Sequence, residues 1–403
     1  MALLTVAEAL ALVLRDAAPL PGERAPLMEA HGRVLAEDLS ALRTQPPTDV
    51  SAMDGYAVRA VDVANAPASL ALIGEVAAGR PFDGTVGAGE AARIFTGGVM
   101  PAGADAVVIQ EHARRIDGRV LLEKSTETGR NVRRKGLDFA AGTVLLRRGQ
   151  RLSARDLALA AAMNHPAVPV HRRPTVAVLA TGDELVPPGA TASASEIVYS
   201  NGFATMALAE REGCAIVDLG IAPDRLPETV AAICRARASG ADILVTSGGA
   251  SVGDYDLVQQ ALSGEGLALS FWKIAMRPGR PMLHGRLGAM HVLGLPGNPV
   301  SAYVGAFLFL VPLIRRLAGR TDIDRTPEPA VLGADLPEND ERTDYLRATL
   351  RVGPDGRQIA TPHPLQDSSM LVPLAAADCL LIRLPHAPAA CAGSPCVVLA
   401  LGL

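Results

Sequence analysis

Between residues 176 and 317 the chain alternates short apolar runs with longer segments of helical periodicity, and this alternation limits the fold more than any other feature. We predict strands at residues 176–180, 215–219, 243–246, 270–274 and 291–295, and helices at 201–212, 227–238, 255–263 and 300–317. Strands joined through helices pair in parallel, because each connection returns the chain to the same end of the sheet. The segment therefore predicts a mostly parallel sheet that helices cover on both faces.

The segments on either side follow other patterns. Short β runs at 69–76, 91–95, 106–112 and 120–123, with a hairpin signal at Asp117-Gly118, lie between helices predicted at 5–16 and 153–163. Both helices begin with a capping box, and β runs return in the tail, including 345–352 and 396–401. The predicted fold class is multidomain α/β plus β. We predict a discontinuous helical and mixed domain (1–45 and 139–173), a β-insert domain (46–138), a central α/β domain (174–326) and a C-terminal β domain (327–403).

The charge and cysteine counts exclude several classes of protein. Lys and Arg number 38 and Asp and Glu number 42, so the formal net charge is −4 and no global basic field exists to hold a nucleic acid. The 5 cysteines are few and odd in number, which favours reduced thiols in the cytoplasm over a disulfide framework. We expect a cytoplasmic protein without a nucleic-acid partner.

No segment of the sequence predicts a membrane span or a signal peptide. The most apolar stretch, residues 300–314, is shorter than the roughly 20 residues that cross a bilayer and contains Gly305 and Pro312. It predicts a buried helix. The N-terminus begins with the capped helix and lacks the basic segment of a secretory signal, so we expect a folded start.

The loops that follow the predicted strands should meet at one edge of the sheet, where open α/β sheets bind ligands. They comprise residues 181–184, 223–224, 247–256 and 296–299. The glycine-rich run 247–254 suits backbone N–H groups directed at an anion, and a tight turn that needs positive φ explains the same glycines equally well. It is not a P-loop, because Asp254 stands where that motif has Lys.

Four acids would converge on this edge: Glu184, Asp224, Asp254 and Asp256. Carboxylates repel a phosphate unless a divalent cation lies between them, so the set predicts a joint Mg²⁺–phosphate site. Each acid taken singly is more often a helix N-cap or a solvated loop residue.

Three cations, Lys273, Arg277 and Arg280, follow in the next predicted strand and turn. We predict that Lys273 and Arg277 lie on one face of an extended segment whose opposite, buried face carries Trp272, Ile274 and Met276. Guanidinium and ammonium groups suit compact oxyanions, so these cations suggest a second anion site. A salt-bridged surface strand is an equally good interpretation.

Three further segments remain open between a site and a structural role. Residues 296–299 (PGNP) open the apolar helix with exposed N–H groups, which suits an anion or simply a rigid helix start. The basic segment 130–135 that leads to Asp138 is typical of a solvated turn, and residues 51–57 are typical of a turn around Asp54-Gly55.

At this point the motifs resemble a known family. Residues 51–58 (SAMDGYAV), 95–98 (FTGG), 129–138, 181–185 (TGDEL), 247–256, 272–281 and 294–301 (GLPGNPVS) occur in the order found in the molybdopterin molybdenumtransferases. These are the MoeA proteins, which are similar also to the E domain of gephyrin. The likeness covers essentially the whole chain, and SAMDGYAV together with GLPGNPVS is highly specific.

The resemblance implies a MogA-like, molybdopterin-binding α/β domain and the last step of molybdenum cofactor synthesis. Adenylylated molybdopterin and molybdate would be the substrates, Mg²⁺ the cofactor and AMP the released product. It also implies a homodimer with the active site between subunits, so that the β insert of one subunit acts on the α/β domain of its neighbour. A MogA-type adenylyltransferase and apo-molybdoenzymes would be further partners.

The resemblance also implies site residues. Directly involved in the reaction would be Asp54, Thr96, Glu184, Asp224, Asp256, Lys273 and Arg277. Substrate and cofactor contacts would come from Arg133, Asp138, Gly248, Gly249, Ser251, Val252, Arg280, Pro296, Gly297, Asn298, Pro299, Ser301, Arg342, Ser368 and Ser369, with Arg347 nearby. The metal would be held by Glu184, Asp224, Asp254 and Asp256.

Two departures and two rival functions accompany the resemblance. Tyr199 stands where many members have an Asp before Ser200-Asn201, and Arg277 and Arg280 replace common lysines. One rival is a MogA-type adenylyltransferase, a smaller fold that lacks the β insert and the C-terminal β domain. The other is a non-catalytic molybdopterin-binding or scaffold protein, which would have degraded site acids.

Overall fold

The computed structural model describes residues 3–248 and 257–402 of the chain. Up to residue 173 it consists of short strands and two capped helices, with 3-10 turns at Leu27–Glu29, Ala60–Val63 and Gln110–His112. In chain order the helices and strands are α1 (Val6–Arg15), β1 (Gly22–Pro26), β2 (Leu39–Ser40), β3 (Val50–Ser51), β4 (Gly55–Val58), β5 (Ala68–Val76), β6 (Glu90–Ile94), β7 (Ala106–Ile109), β8 (Ala113–Ile116), β9 (Arg119–Leu122), β10 (Val132–Arg133), β11 (Val144–Leu146), α2 (Ala154–Ala162) and β12 (Ala167–His171).

The β insert forms a 6-stranded sheet of order β7-β4-β6-β5-β9-β8. The predicted hairpin joins β8 to β9, and both of its turn residues, Asp117 (φ 45°) and Gly118 (φ 78°), have the positive φ of a type I′ turn. The predicted strand 106–112 is too long, because residues 110–112 form a 3-10 turn.

The prediction of a turn at 51–57 is wrong from Gly55 onward, because residues 55–58 form β4, an inner strand of this sheet. The strand needs glycine at position 55, since a Cβ there would lie 2.1 Å from the carbonyl oxygen of Val108.

Helices α1 and α2 begin as predicted. The hydroxyl of Thr5 accepts a hydrogen bond from the N–H of Glu8 at 3.2 Å, and the hydroxyl of Ser153 accepts one from the N–H of Asp156 at 3.4 Å. Helix α2 ends before Asn164, whose φ of 75° cannot continue a right-handed helix. Its inner face packs in a core with strands β1, β2, β11 and β12.

The central region contains β13 (Thr175–Thr181), β14 (Leu185–Val186), β15 (Ile197–Val198), α3 (Asn201–Arg211), β16 (Ala215–Ala222), α4 (Leu226–Ala238), β17 (Ile243–Ser247), α5 (Leu257–Gly264), β18 (Ala268–Trp272), β19 (Met276–Arg277), β20 (Leu283–Leu287), β21 (Met290–Leu295), α6 (Pro299–Gly305) and α7 (Val311–Leu317), with a π-helical turn at Ala306–Leu310 between α6 and α7. Its 6-stranded sheet has the order β16-β13-β17-β21-β20-β18. All strands but β20 run in one direction, because β20 pairs antiparallel with both of its neighbours. The mostly parallel sheet is confirmed, and β20 is a strand that the periodicity missed.

Each face of this sheet has its own hydrophobic core. Helices α4 and α5 cover one face, and α3, α6 and α7 cover the other. The helical run from Pro299 to Leu317 is long and apolar enough to cross a membrane, but 78% of its apolar window is buried inside the protein. This burial agrees with the prediction of a core helix.

Helix α1 packs on the α/β domain rather than on the discontinuous domain to which residues 1–45 were assigned. Ala9 and Val13 are completely buried in the same core as α7. The carbonyl oxygen of Leu317 accepts a hydrogen bond from the N–H of Leu20 at 2.8 Å, which fixes the end of the α1 segment against α7. An amphipathic helix this short is stable only where its apolar face is covered, and here the covering surface comes from residues about 300 positions away.

The C-terminal region closes into a barrel. Its elements are β22 (Glu328–Leu332), β23 (Thr343–Val352), β24 (Gln358–Pro362), α8 (Leu371–Ala375), β25 (Cys379–Arg383) and β26 (Pro395–Ala400). The order β23-β24-β22-β26-β25 closes through a further pairing of β25 with β23. Strand β19 of the central region adds to β23 in parallel, so the barrel is joined to the α/β domain by backbone pairing. The predicted α/β-plus-β architecture is confirmed.

Candidate functional site

The strand ends of the α/β sheet define a single edge, which we call the rim: residues 181–185, 222–225, 248, 273 and 295–299. The register aligns Thr181 with Ala222, Ala180 with Ser247, and Ser247 with Leu295. Leu283 pairs with both Gly294 and Trp272, so β18 ends at the same level. Five separate parts of the sequence therefore lie along one edge of the sheet.

The acids of the rim lie at its β13–β16 end. The N–H of Asp224 donates to Oδ1 of Asp183 at 3.1 Å, and the N–H of Asp183 donates to Oδ2 of Asp224 at 3.4 Å. Glu184 folds back over Gly182, where a Cβ would lie 2.5 Å from Oε2 of Glu184. Each carboxylate of the Asp183–Asp224 pair thus caps the other's loop and holds the two loops together.

Part of the predicted metal and phosphate site lies outside the described residues. Gly249, Ser251, Val252, Asp254 and Asp256 all belong to that part. Within residues 3–248 and 257–402, no group of three or more His, Cys, Asp or Glu side chains is arranged to hold a metal ion. The joint Mg²⁺ site therefore stays a prediction.

Gly248 is required by the close contact between β13 and β17. Its φ is 91°, and a Cβ there would lie 2.5 Å from the carbonyl oxygen of Thr181. A Cβ at Gly297 would lie 3.9 Å from the Cα of Gly248, so the loop after β21 touches the loop after β17. Nδ2 of Asn201 donates to the carbonyl oxygen of Gly297 at 2.7 Å and fixes this loop against α3.

The cations do not share one strand face as predicted. Strand β18 ends at Trp272, and Lys273 has a φ of 90°, so the extended alternation is broken there. Ile274 and Met276 are completely buried, as predicted, but Trp272 is only partly buried. The Lys273 ammonium lies 5.5 Å from the centre of the Trp272 ring. A positive φ at a non-glycine residue leaves no trace in a hydrophobic pattern, which explains the error.

Arg277 is engaged by acids of the C-terminal barrel. It forms ion pairs with Asp340, at 3.2 Å, and with the buried Asp344, and its Nη2 donates to Oδ1 of Asn339 at 3.3 Å. Arg342 shares Asp340, from Nη2 to Oδ2 at 2.6 Å. This hydrogen bond lowers the pKa of Asp340 to about 2, with a smaller contribution from Arg277. Arg277 and Arg342 are therefore held in an ion cluster between two domains.

Arg280 remains unpaired in the part of the chain that the structure describes. Its carbonyl oxygen accepts from the N–H of Ile274 at 3.0 Å, but no hydrogen bond or ion pair there uses its exposed guanidinium. The preceding Gly279 packs near the carbonyl oxygen of the buried Ser301. Arg280 thus lies close to the first turn of α6 with its charge available.

A loop of the barrel is docked on the start of α6. Nδ2 of Asn298 donates to Oγ of Ser368 at 2.8 Å, and the N–H of Val300 donates to the carbonyl oxygen of Ser368 at 3.0 Å. Ser369 does not reach α6; its hydroxyl donates to Oδ1 of Asp367 at 2.6 Å within the same turn. Pro296 and Pro299 flank this contact.

Arg347 lies behind this loop and is 1% exposed. Its Nη2 donates to the carbonyl oxygen of Asp367 at 3.0 Å, while its Nε is buried without a partner among the described residues. Burial lowers the pKa of Arg347, partly offset by Asp367. A buried guanidinium nitrogen without a partner is costly, and because Arg347 is almost fully buried this Nε is closed to solvent.

The β-insert residues form a second group. Oδ1 of Asp54 accepts from both the N–H and the hydroxyl of Thr96, at 2.7 and 2.8 Å. These bonds, with the charge of Arg93, lower the pKa of Asp54. Arg133 lies in β10, paired with Val50, and the N–H of Asp138 donates to the carbonyl oxygen of Gln45 at 3.0 Å.

The β insert and the rim are not joined within one chain. Across residues 3–248 and 257–402, no hydrogen bond or ion pair links residues 46–138 with the rim. The structure thus brings together Glu184, Asp224, Gly248, Lys273 and 296–299 along the rim, and separately Asp54 with Thr96. Sequence reasoning missed Arg93, whose charge acts on Asp54 and whose position depends on strand register.

Comparisons with known proteins follow the same division of the chain. Residues 4–164 match the family described as MoeA N-terminal region (domain I and II), residues 177–316 match the probable molybdopterin binding domain, and residues 329–401 match the MoeA C-terminal region (domain IV). A molybdopterin molybdenumtransferase of Haemophilus influenzae is 35% identical over 90% of both chains. One from Nostoc sp. is 42% identical over 73% of this chain and 69% of that protein.

Solved structures that are similar to this chain belong to the same family. Two crystal structures of molybdopterin biosynthesis MoeA protein from Pyrococcus horikoshii have TM-scores of 0.85 and 0.82, at 31% and 28% identity. They cover 100% and 99% of this chain, and this chain covers 100% of each. The fold and the rim thus define a multidomain enzyme of molybdopterin metabolism. The chain belongs to the MoeA family of molybdopterin molybdenumtransferases.

Proposed function

We propose that this molybdopterin molybdenumtransferase inserts molybdate into adenylylated molybdopterin at the rim and releases AMP. The observation that carries the proposal is the alignment of the loops at 181–185, 222–225, 295–299 and Lys273 along one edge of the sheet. Asp224 and Lys273 follow strands that are five positions apart, roughly 24 Å at about 4.8 Å per strand. An extended substrate with a nucleotide at one end and a metal-binding group at the other would match that separation.

The oxyanion would bind at the barrel end of the rim. Arg280, which is exposed and has no partner among the described residues, supplies a guanidinium near α6, and the buried Arg347 adds positive charge behind the Ser368 loop. Ser368, held by Asn298, supplies a hydroxyl. Charge-assisted hydrogen bonds of this type fix a compact dianion and hold it in one orientation without a covalent bond to the protein.

The phosphate groups would lie at the acidic end, beside Glu184, Asp224 and Gly248. Carboxylates fit Mg²⁺ by donor chemistry, since this ion prefers oxygen ligands and uses one or two carboxylates together with substrate phosphates. Bound Mg²⁺ would neutralise the charge that develops on the phosphate as AMP leaves. Glu184 and Asp224 would hold it, with Asp254 and Asp256 as the predicted further ligands, and the Asp183–Asp224 bonds would keep the two loops in place.

The site would be completed by a second subunit. The half-buried Asp54 and the exposed Thr96 form a hydrogen-bonded pair, and in the part of the chain that the structure describes neither is bonded to the rim. A two-fold dimer that places the β insert of one protomer on the rim of its partner would add Asp54, Thr96, Arg133 and Asp138 to the site.

The proposal extends to the compartment and the partners of the reaction. We expect a cytoplasmic homodimer that receives adenylylated molybdopterin from a MogA-type adenylyltransferase and delivers the product to apo-molybdoenzymes. Free cysteines at 214, 234, 379, 391 and 396 agree with a reducing compartment. The β insert and the C-terminal barrel, which an adenylyltransferase of MogA type lacks, do not favour that rival, and neither rival is supported by the relatives' names.

The test is the release of AMP from adenylylated molybdopterin on addition of molybdate and Mg²⁺. We expect AMP and molybdenum cofactor in equal amounts from the wild-type chain, and strongly reduced amounts from Glu184→Gln and Lys273→Met. Glu210→Gln, on the exposed face of α3, is the control. Binding of the substrate without any AMP release would favour the scaffold function instead.

A further inference from the structure

We infer that Arg93 is a positioning residue that holds the Asp54–Thr96 pair in the geometry needed for the reaction. The inference rests on the proposed role of that pair. Arg93 lies on β6 directly opposite Tyr56 of β4, and Phe95 follows on the same face of the chain. None of the motifs in the sequence includes Arg93, and its role depends on contacts among three separate strands.

The guanidinium of Arg93 is held by two aromatic rings. It lies 5.1 Å from the centre of the Tyr56 ring and 4.8 Å from that of the Phe95 ring. Both distances are within the range of cation–π attraction, which is stronger for a partly desolvated cation. The Tyr56 ring is 4% exposed, so one wall of this cage is fixed by the core of the β insert.

The two terminal nitrogens of the Arg93 guanidinium bond two different segments, β4 and the 3-10 turn that follows β7. Nη1 donates to the carbonyl oxygen of Gly55 at 3.2 Å, and Nη2 donates to Oε1 of Gln110 at 2.6 Å. The N–H of Gln110 in turn donates to the carbonyl oxygen of Asp54 at 3.1 Å. Arg93 therefore holds the backbone that follows the Asp54 side chain, directly at the carbonyl group of Gly55 and, through Gln110, at the carbonyl group of Asp54 itself.

The geometry at Asp54 shows why such support is needed. Both hydrogen bonds from Thr96 reach Oδ1, and Oδ2 has no hydrogen bond among the described residues. Asp54 is half-buried, and among the described residues only Thr96 bonds its carboxylate and so limits rotation about its side-chain bonds. Thr96 directly follows Phe95, which packs on Arg93. One guanidinium thus restrains both members of the pair while it touches neither.

The same sheet offers a matched control. Arg119 on β9 is also an arginine that bonds across strands, from Nε to Oγ of Ser69 at 2.9 Å and from Nη2 to the carbonyl oxygen of Ser69 at 2.7 Å. It makes no contact with Asp54 or Thr96. Loss of Arg119 therefore measures what an arginine contributes to the stability of this sheet alone.

The experiment compares Arg93→Met, Arg93→Lys and Arg119→Met. The carboxyl carbon of Asp54 is followed by ¹³C NMR through a pH titration, and AMP release is measured on the same samples. In Arg93→Met we expect the Asp54 pKa to rise and kcat/KM to fall about tenfold or more, since small misplacements of reacting groups have effects of this size. In Arg119→Met the Asp54 pKa and kcat/KM should both equal those of the wild type.

Arg93→Lys keeps the charge and the aromatic contacts but cannot bond Gly55 and Gln110 together, so it should keep the Asp54 pKa and lose part of the activity. If Arg93→Met does not fold, the Arg93→Lys variant alone tests the inference. Wild-type activity and titration in both Arg93 variants would overturn the inference, as would equal losses in Arg93→Met and Arg119→Met. The titration needs no turnover, so failure of the proposed reaction is recognised separately, by absence of AMP release in the wild type.

Discussion

Asn298 at the start of α6 donates a hydrogen bond to Oγ of Ser368 at 2.8 Å, and this bond joins the α/β domain to the C-terminal barrel at the rim. The same loop of the barrel covers the buried Arg347. The proposed oxyanion site and the contact between the two domains therefore involve the same few atoms.

Removing the Asn298 amide should loosen this contact. We predict that Asn298→Ala lowers the free energy of unfolding by about 1 kcal/mol, the value of one hydrogen bond, and raises the KM for molybdate. Steady-state kinetics and urea unfolding measure the two effects. Ser239→Ala is the control, because its hydroxyl bonds only the carbonyl oxygen of Ala236 at the end of α4, away from the barrel. Equal effects of the two variants on the KM would contradict a role for the Asn298–Ser368 contact.

Gly248 should tolerate no side chain. A Cβ would lie 2.5 Å from the carbonyl oxygen of Thr181, so Gly248→Ala should separate β13 from β17 and reduce both the yield of folded protein and AMP release. Gly240→Ala separates this effect from backbone strain, because Gly240 also has a positive φ, 72°, but a Cβ there meets nothing within 4 Å. We expect Gly240→Ala to cost about 1 kcal/mol. Equal melting temperatures for both variants would show that close contact is not what requires Gly248.

Glu212 is buried among four arginines. Arg315, Arg320 and Arg325 form ion pairs with it at 3.0, 2.6 and 3.9 Å, and Arg211 forms one at 4.0 Å. Removing its charge leaves cations buried without their partner, for which losses are about 3–5 kcal/mol. Glu212→Gln should therefore lower the melting temperature by many degrees, while Glu210→Gln on the exposed side of α3 should leave it unchanged. Differential scanning calorimetry measures the melting temperatures of both variants. A Glu212→Gln variant as stable as the wild type would show that the ion pairs of Glu212 do not stabilise the protein.

Two buried histidines make stability depend on pH. Nη1 of Arg286 bonds Nε2 of His291 at 2.6 Å, which requires that nitrogen to be unprotonated, and His291 bonds His284 at 3.3 Å. Burial, with the charge of Arg286, lowers the pKa of His284 to about 4 and that of His291 to about 3.

The unfolded chain takes up protons at these histidines below about pH 6.5, whereas the folded chain does not, so stability is complete above that pH and falls continuously toward pH 4. At pH 5 the loss is roughly 2 kcal/mol for each histidine. Urea unfolding at pH 7.5 and 5.0 measures it. His291→Gln should reduce the difference and the exposed His31→Gln should not; a pH-independent wild type would contradict the assignment.

Completion of the site by the partner subunit can be tested by complementation. Chains carrying Asp54→Asn and chains carrying Glu184→Gln should each be nearly inactive. After refolding as a mixture, half of the dimers are mixed and each has one site without either substitution, so about a quarter of wild-type activity should return. Absence of recovery, with mixed dimers verified by mass spectrometry, would show that the two residues act within one chain.

The sequence alone predicted β13, β17 and β21 because each is a buried, mostly apolar run of strand length, and it missed β20. It failed at β4 and at Lys273, where a glycine forced by the oxygen of Val108 and a positive φ decide the path of the chain. The order of the rim followed from topology. The partners of Arg277 could not be foreseen, since Asp340 and Asp344 reach it only through pairing of β19 with β23.

Whether the rim and the docked barrel loop hold the substrates is most directly measured by anomalous X-ray scattering from crystals grown with molybdate and AMP. The account predicts a molybdenum peak in contact with Ser368 and near Arg280, with the nucleotide at the Glu184–Asp224 end of the same rim. Molybdenum or AMP bound only at another surface of the protein would contradict it.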